Sequence, residues 1–121
     1  MWVTKVFTMM TSNYATCGRV KLAVSIAGGA PEWYTGRQYK KLAPKLDFFL
    51  KYKQDGDESY YTEQFKRRVL GVLDPNKVWE ELGEDSILLC WESPGEFCHR
   101  RIVAEWFQNE LGVIVPEYRK V

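Results

Sequence analysis

The sequence predicts an α/β fold, a single small domain with a mostly parallel sheet of about four strands flanked by helices. Three observations predict it. Short β-branched and aromatic runs alternate with stretches of helical period. One run, Ser86-Ile87-Leu88-Leu89-Cys90-Trp91-Glu92, is nearly unbroken in apolar residues, as in a central strand covered on both faces. A helical stretch and then a β-branched triplet follow it, an order that makes a right-handed crossover between parallel strands. The chain has 121 residues, enough to bury roughly two thirds of its unfolded surface in one core, so residues 1–121 are expected to form one domain.

In chain order, Thr4 to Met10 is rich in β-branched and aromatic side chains and reads as a first strand, stopped by the polar Thr11-Ser12-Asn13. Val20, Leu22, Val24 and Ile26 alternate with Lys21, Ala23 and Ser25, predicting a second strand buried mainly on one face and ended by Gly28-Gly29. From Ala30 to Lys41 no period appears, and the segment is expected to be a long ordered loop. Pro44 suits a helix first turn, with Leu46, Phe49 and Leu50 at helical spacing until Gln54-Asp55-Gly56. Asp57 and Glu58 favour the next helix start, after which Tyr61, Phe65, Val69, Val72 and Leu73 form an apolar stripe. Asp74-Pro75 is a cap with proline at the first helical position, opening a short helix that Gly83 ends. Ser93-Pro94-Gly95-Glu96 has the spacing of a capping box, so the last long helix is expected to begin there and stop at Gly112, ahead of a final strand at Val113-Ile114-Val115.

Composition narrows the function classes. Seventeen basic residues nearly balance sixteen acidic ones, for a formal charge of +1. No global field then draws the chain to nucleic acid as a polyanion or to an anionic membrane. No apolar stretch approaches the roughly 20 residues that span a bilayer, and Met1 to Met10 is too polar for a signal-peptide core, so a cytoplasmic protein is expected. Cys17, Cys90 and Cys98 are an odd number without a C-x-x-C pair, which fits reduced thiols, with Cys90 as a packing residue in its apolar run.

Ligands of open parallel sheets collect beyond the carboxyl ends of the strands, where loops lead into helix N-termini. The loop from Glu92 through Ser93 to Phe97 is such a place. The amides of a first helical turn attract an anion, and a nearby thiolate is stabilised by the same partial charge. Cys98, His99 and Arg100 follow at once. Placed at 100° per residue, Ile102, Val103, Trp106 and Phe107 define the inward face, with His99 on it one turn earlier and Cys98 and Arg100 at its edges. Because consecutive helical residues do not face one another, a direct Cys98–His99 pair is not expected. Cys98 is a candidate nucleophile or an inert buried thiol. His99 is a candidate acid or base, or a core histidine that pins the helix to the sheet. Arg100 is a candidate anion-binding residue, or a solvated or structurally paired arginine. Trp33, Arg37 and Tyr39, in an aromatic and basic loop, could stack and pair with a nucleotide, or could cover the edge of the core.

A zinc site drawn from Cys17, Cys90, Cys98 and His99 lacks the paired short loops of structural sites, so no metal is expected. Nor is a cofactor: there is no Gly-rich phosphate cradle and no H-E-x-x-H, and no cysteine has an arginine six positions on.

The run Leu88-Leu89-Cys90-Trp91-Glu92-Ser93-Pro94-Gly95-Glu96-Phe97-Cys98-His99-Arg100 resembles the signature of the domain-of-unknown-function family 488 (DUF488), small bacterial and phage α/β proteins. The resemblance extends more loosely over Lys5-Val6-Phe7-Thr8, Pro31, Trp33, Tyr39, Leu42-Ala43-Pro44 and Tyr61 to Leu73. Longer members carry Asp-x-Arg after the second strand, where this chain has Ser25-Ile26-Ala27. The resemblance implies an α/β fold and a shared site at Glu92, Cys98, His99 and Arg100, and so a location rather than a chemistry. Three functions stand at this point. One is an enzyme acting on a small anionic or nucleotide-like ligand, with Glu92 and His99 moving protons, Cys98 attacking, and Ser93 and Arg100 holding the ligand. Another is a nucleotide-binding module without turnover, and the third is a phage-type inhibitor with a protein partner.

Overall fold

The computed structural model describes residues 9–118, and the fold is the α/β one expected from sequence. Strands β1 (Met10–Asn13), β2 (Ala23–Ser25), β3 (Arg37–Gln38) and β4 (Ile87–Cys90) form one sheet in the order β1-β4-β2-β3, and every pair is parallel. β4 lies between β1 and β2, with Leu89 opposite both Ser12 and Ser25. All four of its residues are buried, as its unbroken apolar run requires.

Helices α1 (Tyr14–Cys17), α2 (Leu46–Asp55), α3 (Glu58–Arg68), α4 (Pro75–Leu82) and α5 (His99–Leu111) surround the sheet. Alternate strand residues feed two cores. Val24 and Leu88 join Phe48, Phe65, Val78, Val103 and Phe107 beneath α2 to α5, while Ala23, Ile87 and Leu89 join Tyr14, Cys17 and Tyr34 on the other face. The anticipated caps form: Asp57 accepts the Tyr60 amide at 3.0 Å and Asp74 the Asn76 amide at 3.0 Å. Gly56 (φ 66°) and Gly112 (φ 68°) take the left-handed conformation that ends α2 and α5.

Four expectations are corrected. The polar Thr11-Ser12-Asn13, expected to end a strand at Thr4–Met10, itself forms β1 together with Met10; residues 4–8 lie outside the described residues. Thr11 there is fully buried because its hydroxyl donates to Glu117 Oε1 (2.5 Å) and its amide to the Pro116 carbonyl (3.0 Å). The second strand is three residues long. Backbone turns from Cys17 to Ala23 leave Val20 and Leu22 about half exposed, so their alternation did not mark a buried face. The expected loop over Ala30–Lys41 contains β3 and opens into a 3-10 turn at Lys40–Leu42. Finally, Val113–Val115 forms no strand; the chain after α5 returns beside β1 through one parallel bridge, Thr11 to Glu117.

The parallel register brings the carboxyl ends of β2 and β4 to one edge of the sheet, where β2 leads into Ile26-Ala27-Gly28-Gly29 and β4 into Trp91-Glu92. The Trp91 indole donates to the Gly29 carbonyl at 2.8 Å and joins the two loops. Among the described residues, no helix is long and apolar enough to cross a membrane.

Candidate functional site

A cleft of about 1120 Å³ opens at this edge of the sheet. One wall is aromatic. Phe97 packs against Tyr52 (centroids 5.2 Å apart) and Tyr61 (5.3 Å), and Phe49 and the half-exposed Trp91 also line the space. Glu58, Glu92 and Glu96 contribute carboxylates and Lys53 an ammonium group. Cys90, Cys98 and His99, all buried, lie at its base.

Glu92 is central in this arrangement. Burial raises the phenol pKa values of Tyr14, Tyr52 and Tyr61, and the Glu92 carboxylate raises all three further, so its charge is felt by Tyr52 and Tyr61 in the lining and by Tyr14 outside it. The Tyr14 ring also meets Trp91 edge-on at 5.2 Å.

The base of the cleft follows from where α5 begins. One limb of the capping box forms, the Ser93 amide donating to Glu96 Oε1 at 2.9 Å, but Gly95 has φ 92° and turns the chain out of any helix. The expected start at Ser93 is thereby delayed to His99, with Cys98 as an extended N-cap (φ −154°, ψ 143°). Since Cys98 is not helical, its side chain is not forced away from that of His99 as neighbouring helical side chains are. Its sulfur lies 3.9 Å from His99 Nδ1.

His99 Nε2 is 2.8 Å from the Ile26 carbonyl. A carbonyl only accepts, so Nε2 bears the proton and Nδ1 of the neutral ring presents a lone pair toward Cys98. Burial, outweighing the Ile26 hydrogen bond and assisted by the Arg100 charge, depresses the imidazole pKa to about 4, so the ring is neutral at neutral pH.

Cys90 and Cys98 are joined by a disulfide, and Cys17 is free and buried. The expectation of three reduced thiols is corrected accordingly: Cys90 ends β4, Cys98 caps α5, and the bond closes the intervening loop. The hidden signal was Cys90, whose apolar neighbours are those of a packing residue.

Arg100 is fully buried and does not line the cleft. Its Nε and Nη2 donate to the two Glu117 oxygens at 3.0 and 2.6 Å, and its Nη1 donates to Cys90 Sγ at 3.0 Å. Of its alternatives, this is the structurally paired one. Ser93 lies exposed outside the lining. Trp33, Arg37 and Tyr39 are also elsewhere. Trp33 stacks on the Arg19 guanidinium (4.5 Å), Arg37 caps α4 through the Glu81 and Leu82 carbonyls (2.8 and 2.9 Å), and the Tyr39 hydroxyl donates to Glu81. The structure thus gathers Glu92, Cys98 and His99 in one cleft and leaves Ser93, Arg100, Trp33, Arg37 and Tyr39 outside its lining. Sequence reasoning missed Phe49, Tyr52, Glu58 and Tyr61, which carry an ordinary amphipathic pattern on α2 and α3.

The family model described as the active DUF488-N3 subclade matches residues 13–111. No curated protein and no solved structure matches the chain.

Proposed function

Because the chain belongs to the DUF488 family, whose matching subclade is described as active, we propose that the cleft is the active site of an enzyme acting on a small nucleoside-like molecule, with Glu92 as a proton-transfer group. The observation that carries this is that Tyr52, Tyr61, Phe97 and Trp91 line one open space together with the Glu92 carboxylate. Flat rings and a carboxylate suit a ligand that is part heterocycle and part hydroxylated sugar. The base stacks, worth about 1–3 kcal/mol per ring, and the carboxylate accepts hydrogen bonds from hydroxyl or ring N–H groups and exchanges a proton with one of them.

Charge separates a nucleoside from its phosphate. Three carboxylates and one lysine line the cleft, and the guanidinium that follows His99 is held by Glu117. A phosphate would meet more repulsion than attraction here. The favoured ligand is therefore nucleotide-like in its base and sugar and lacks the anionic group.

Incubation with a panel of nucleosides and mononucleotides, followed by chromatography and thermal melts, tests the proposal. Expected are a new product from at least one nucleoside, a higher melting temperature with that compound, and loss of turnover in Glu92→Gln without loss of fold. An unchanged panel, together with flat melting curves, would contradict it.

A further inference from the structure

Cys90 Sγ, Cys98 Sγ and His99 Nδ1 converge at the base of the cleft, a coordinating atom from each residue lying within 4.8 Å of those of the other two. Spacing alone argued against a metal, because a seven-residue gap and an adjacent histidine resemble no zinc loop. The gap spans a strand end and a helix cap, however, and the fold closes it.

We propose that, once the Cys90–Cys98 disulfide is reduced, these three residues bind one zinc ion, with the fourth coordination position open to the cleft. Thiolates at about 2.3 Å and an imidazole nitrogen at about 2.0 Å from a tetrahedral zinc put the donor atoms roughly 3.5–3.8 Å apart. The Cys98 Sγ to His99 Nδ1 distance is already 3.9 Å and a donor atom of each residue lies within 4.8 Å of the others, so the main movement required is for the two sulfurs to part.

The surroundings match what such an ion requires. Zinc-bound histidines usually donate their second N–H to a carbonyl or carboxylate, which fixes the tautomer and aims the other nitrogen; His99 Nε2 does this to Ile26. The Arg100 guanidinium donates to Cys90 Sγ at 3.0 Å and orients that sulfur from outside the site. Zinc with two thiolates is neutral, and so is the Arg100–Glu117 pair beside it, so no net charge is buried. Entry is from the cleft, which all three residues line. Three protein ligands with an open position are the pattern of catalytic rather than structural zinc, and Glu92 lines the same space.

Oxidation and metal binding exclude each other, because a disulfide sulfur has no thiolate to offer. The exchange balances with a phosphine as reductant. The phosphine takes oxygen from one water and becomes its oxide, the S–S bond breaks with two electrons, and the two protons of that water go to the sulfurs. Zinc then displaces both thiol protons.

The inference concerns the base of the cleft and needs no particular ligand above it, so it can fail while the nucleoside proposal stands, and the reverse. The test is anaerobic titration of phosphine-reduced protein with cobalt(II), followed by zinc. Expected are thiolate-to-cobalt charge-transfer bands that saturate at one equivalent and are bleached by zinc, and no bands from disulfide-form protein. Cys90→Ser and Cys98→Ser should each weaken binding by about 100-fold or more, and Cys17→Ser should leave it unchanged. X-ray absorption of zinc-loaded wild-type protein, which needs no variant to fold, should give two sulfur neighbours and at least one imidazole nitrogen. No saturation at one equivalent, a different sulfur count, or full binding by Cys98→Ser would overturn the proposal.

Discussion

Replacing Glu117 by alanine should destabilise the protein far more than replacing any carboxylate on its surface. Glu117 accepts both the Nε and Nη2 hydrogens of a fully buried guanidinium, at 3.0 and 2.6 Å, and the exposures of the two side chains are 0% and 9%. Without it Arg100 keeps its charge in the interior, and among the described residues its remaining acceptor is the Cys90 sulfur. Breaking a buried pair from one side costs about 3–5 kcal/mol. For a domain of this size that lowers the melting temperature by roughly 10–20 °C. Glu105, paired with Lys66 at 3.6 Å with both side chains more than half exposed, is the control, and Glu105→Ala should cost about 1 kcal/mol or less. Thermal and urea melts of the two variants and wild type decide the matter. If Glu117→Ala melted within a few degrees of Glu105→Ala, Arg100 would have a solvent-reachable alternative and its assignment as a sealed structural pair would be refuted.

Other expectations follow from local geometry. Asp74→Ala removes the acceptor for the Asn76 amide and should cost about 1 kcal/mol in urea denaturation. Gly112→Ala forces a Cβ into φ 68° at the end of α5 and should also cost about 1 kcal/mol, whereas a D-alanine placed there by chemical ligation should not. In the metal-free disulfide form, the depressed His99 pKa of about 4, against 6.5 for the free side chain, makes the unfolded chain bind more protons between those values. Stability should therefore fall as pH drops from about 6.5 to about 4, by a total on the order of 3 kcal/mol, and His99→Gln should flatten the slope in that window.

The parts of the fold written in local patterns were legible. Ile87–Cys90 is apolar at every position because β4 is covered on both faces, and Asp57, Asp74-Pro75, Gly56 and Gly112 punctuate helices through contacts a few residues away. What was not legible depends on partners distant in sequence. Thr11-Ser12-Asn13 reads as the polar end of a strand until Glu117 and Pro116 supply partners across the sheet edge. Arg37 and Tyr39 look like a binding loop until the end of α4 takes up their donors. At the site, Glu92, Cys98 and His99 were located by the loop after β4. Two features hid the rest: the turn at Gly95, which makes Cys98 a cap, and the apolar setting of Cys90, which conceals a sulfur that meets it.

Calorimetric titration of the wild-type protein with a nucleoside and with its 5′-phosphate, repeated on Glu92→Gln and Tyr52→Ala, bears most directly on the cleft as the functional centre. Saturable binding at one site is expected, tighter for the nucleoside than for the phosphate because Glu58, Glu92 and Glu96 line the cleft, and weakened in both variants. Tighter binding of the phosphate, or affinity that neither substitution changes, would contradict it.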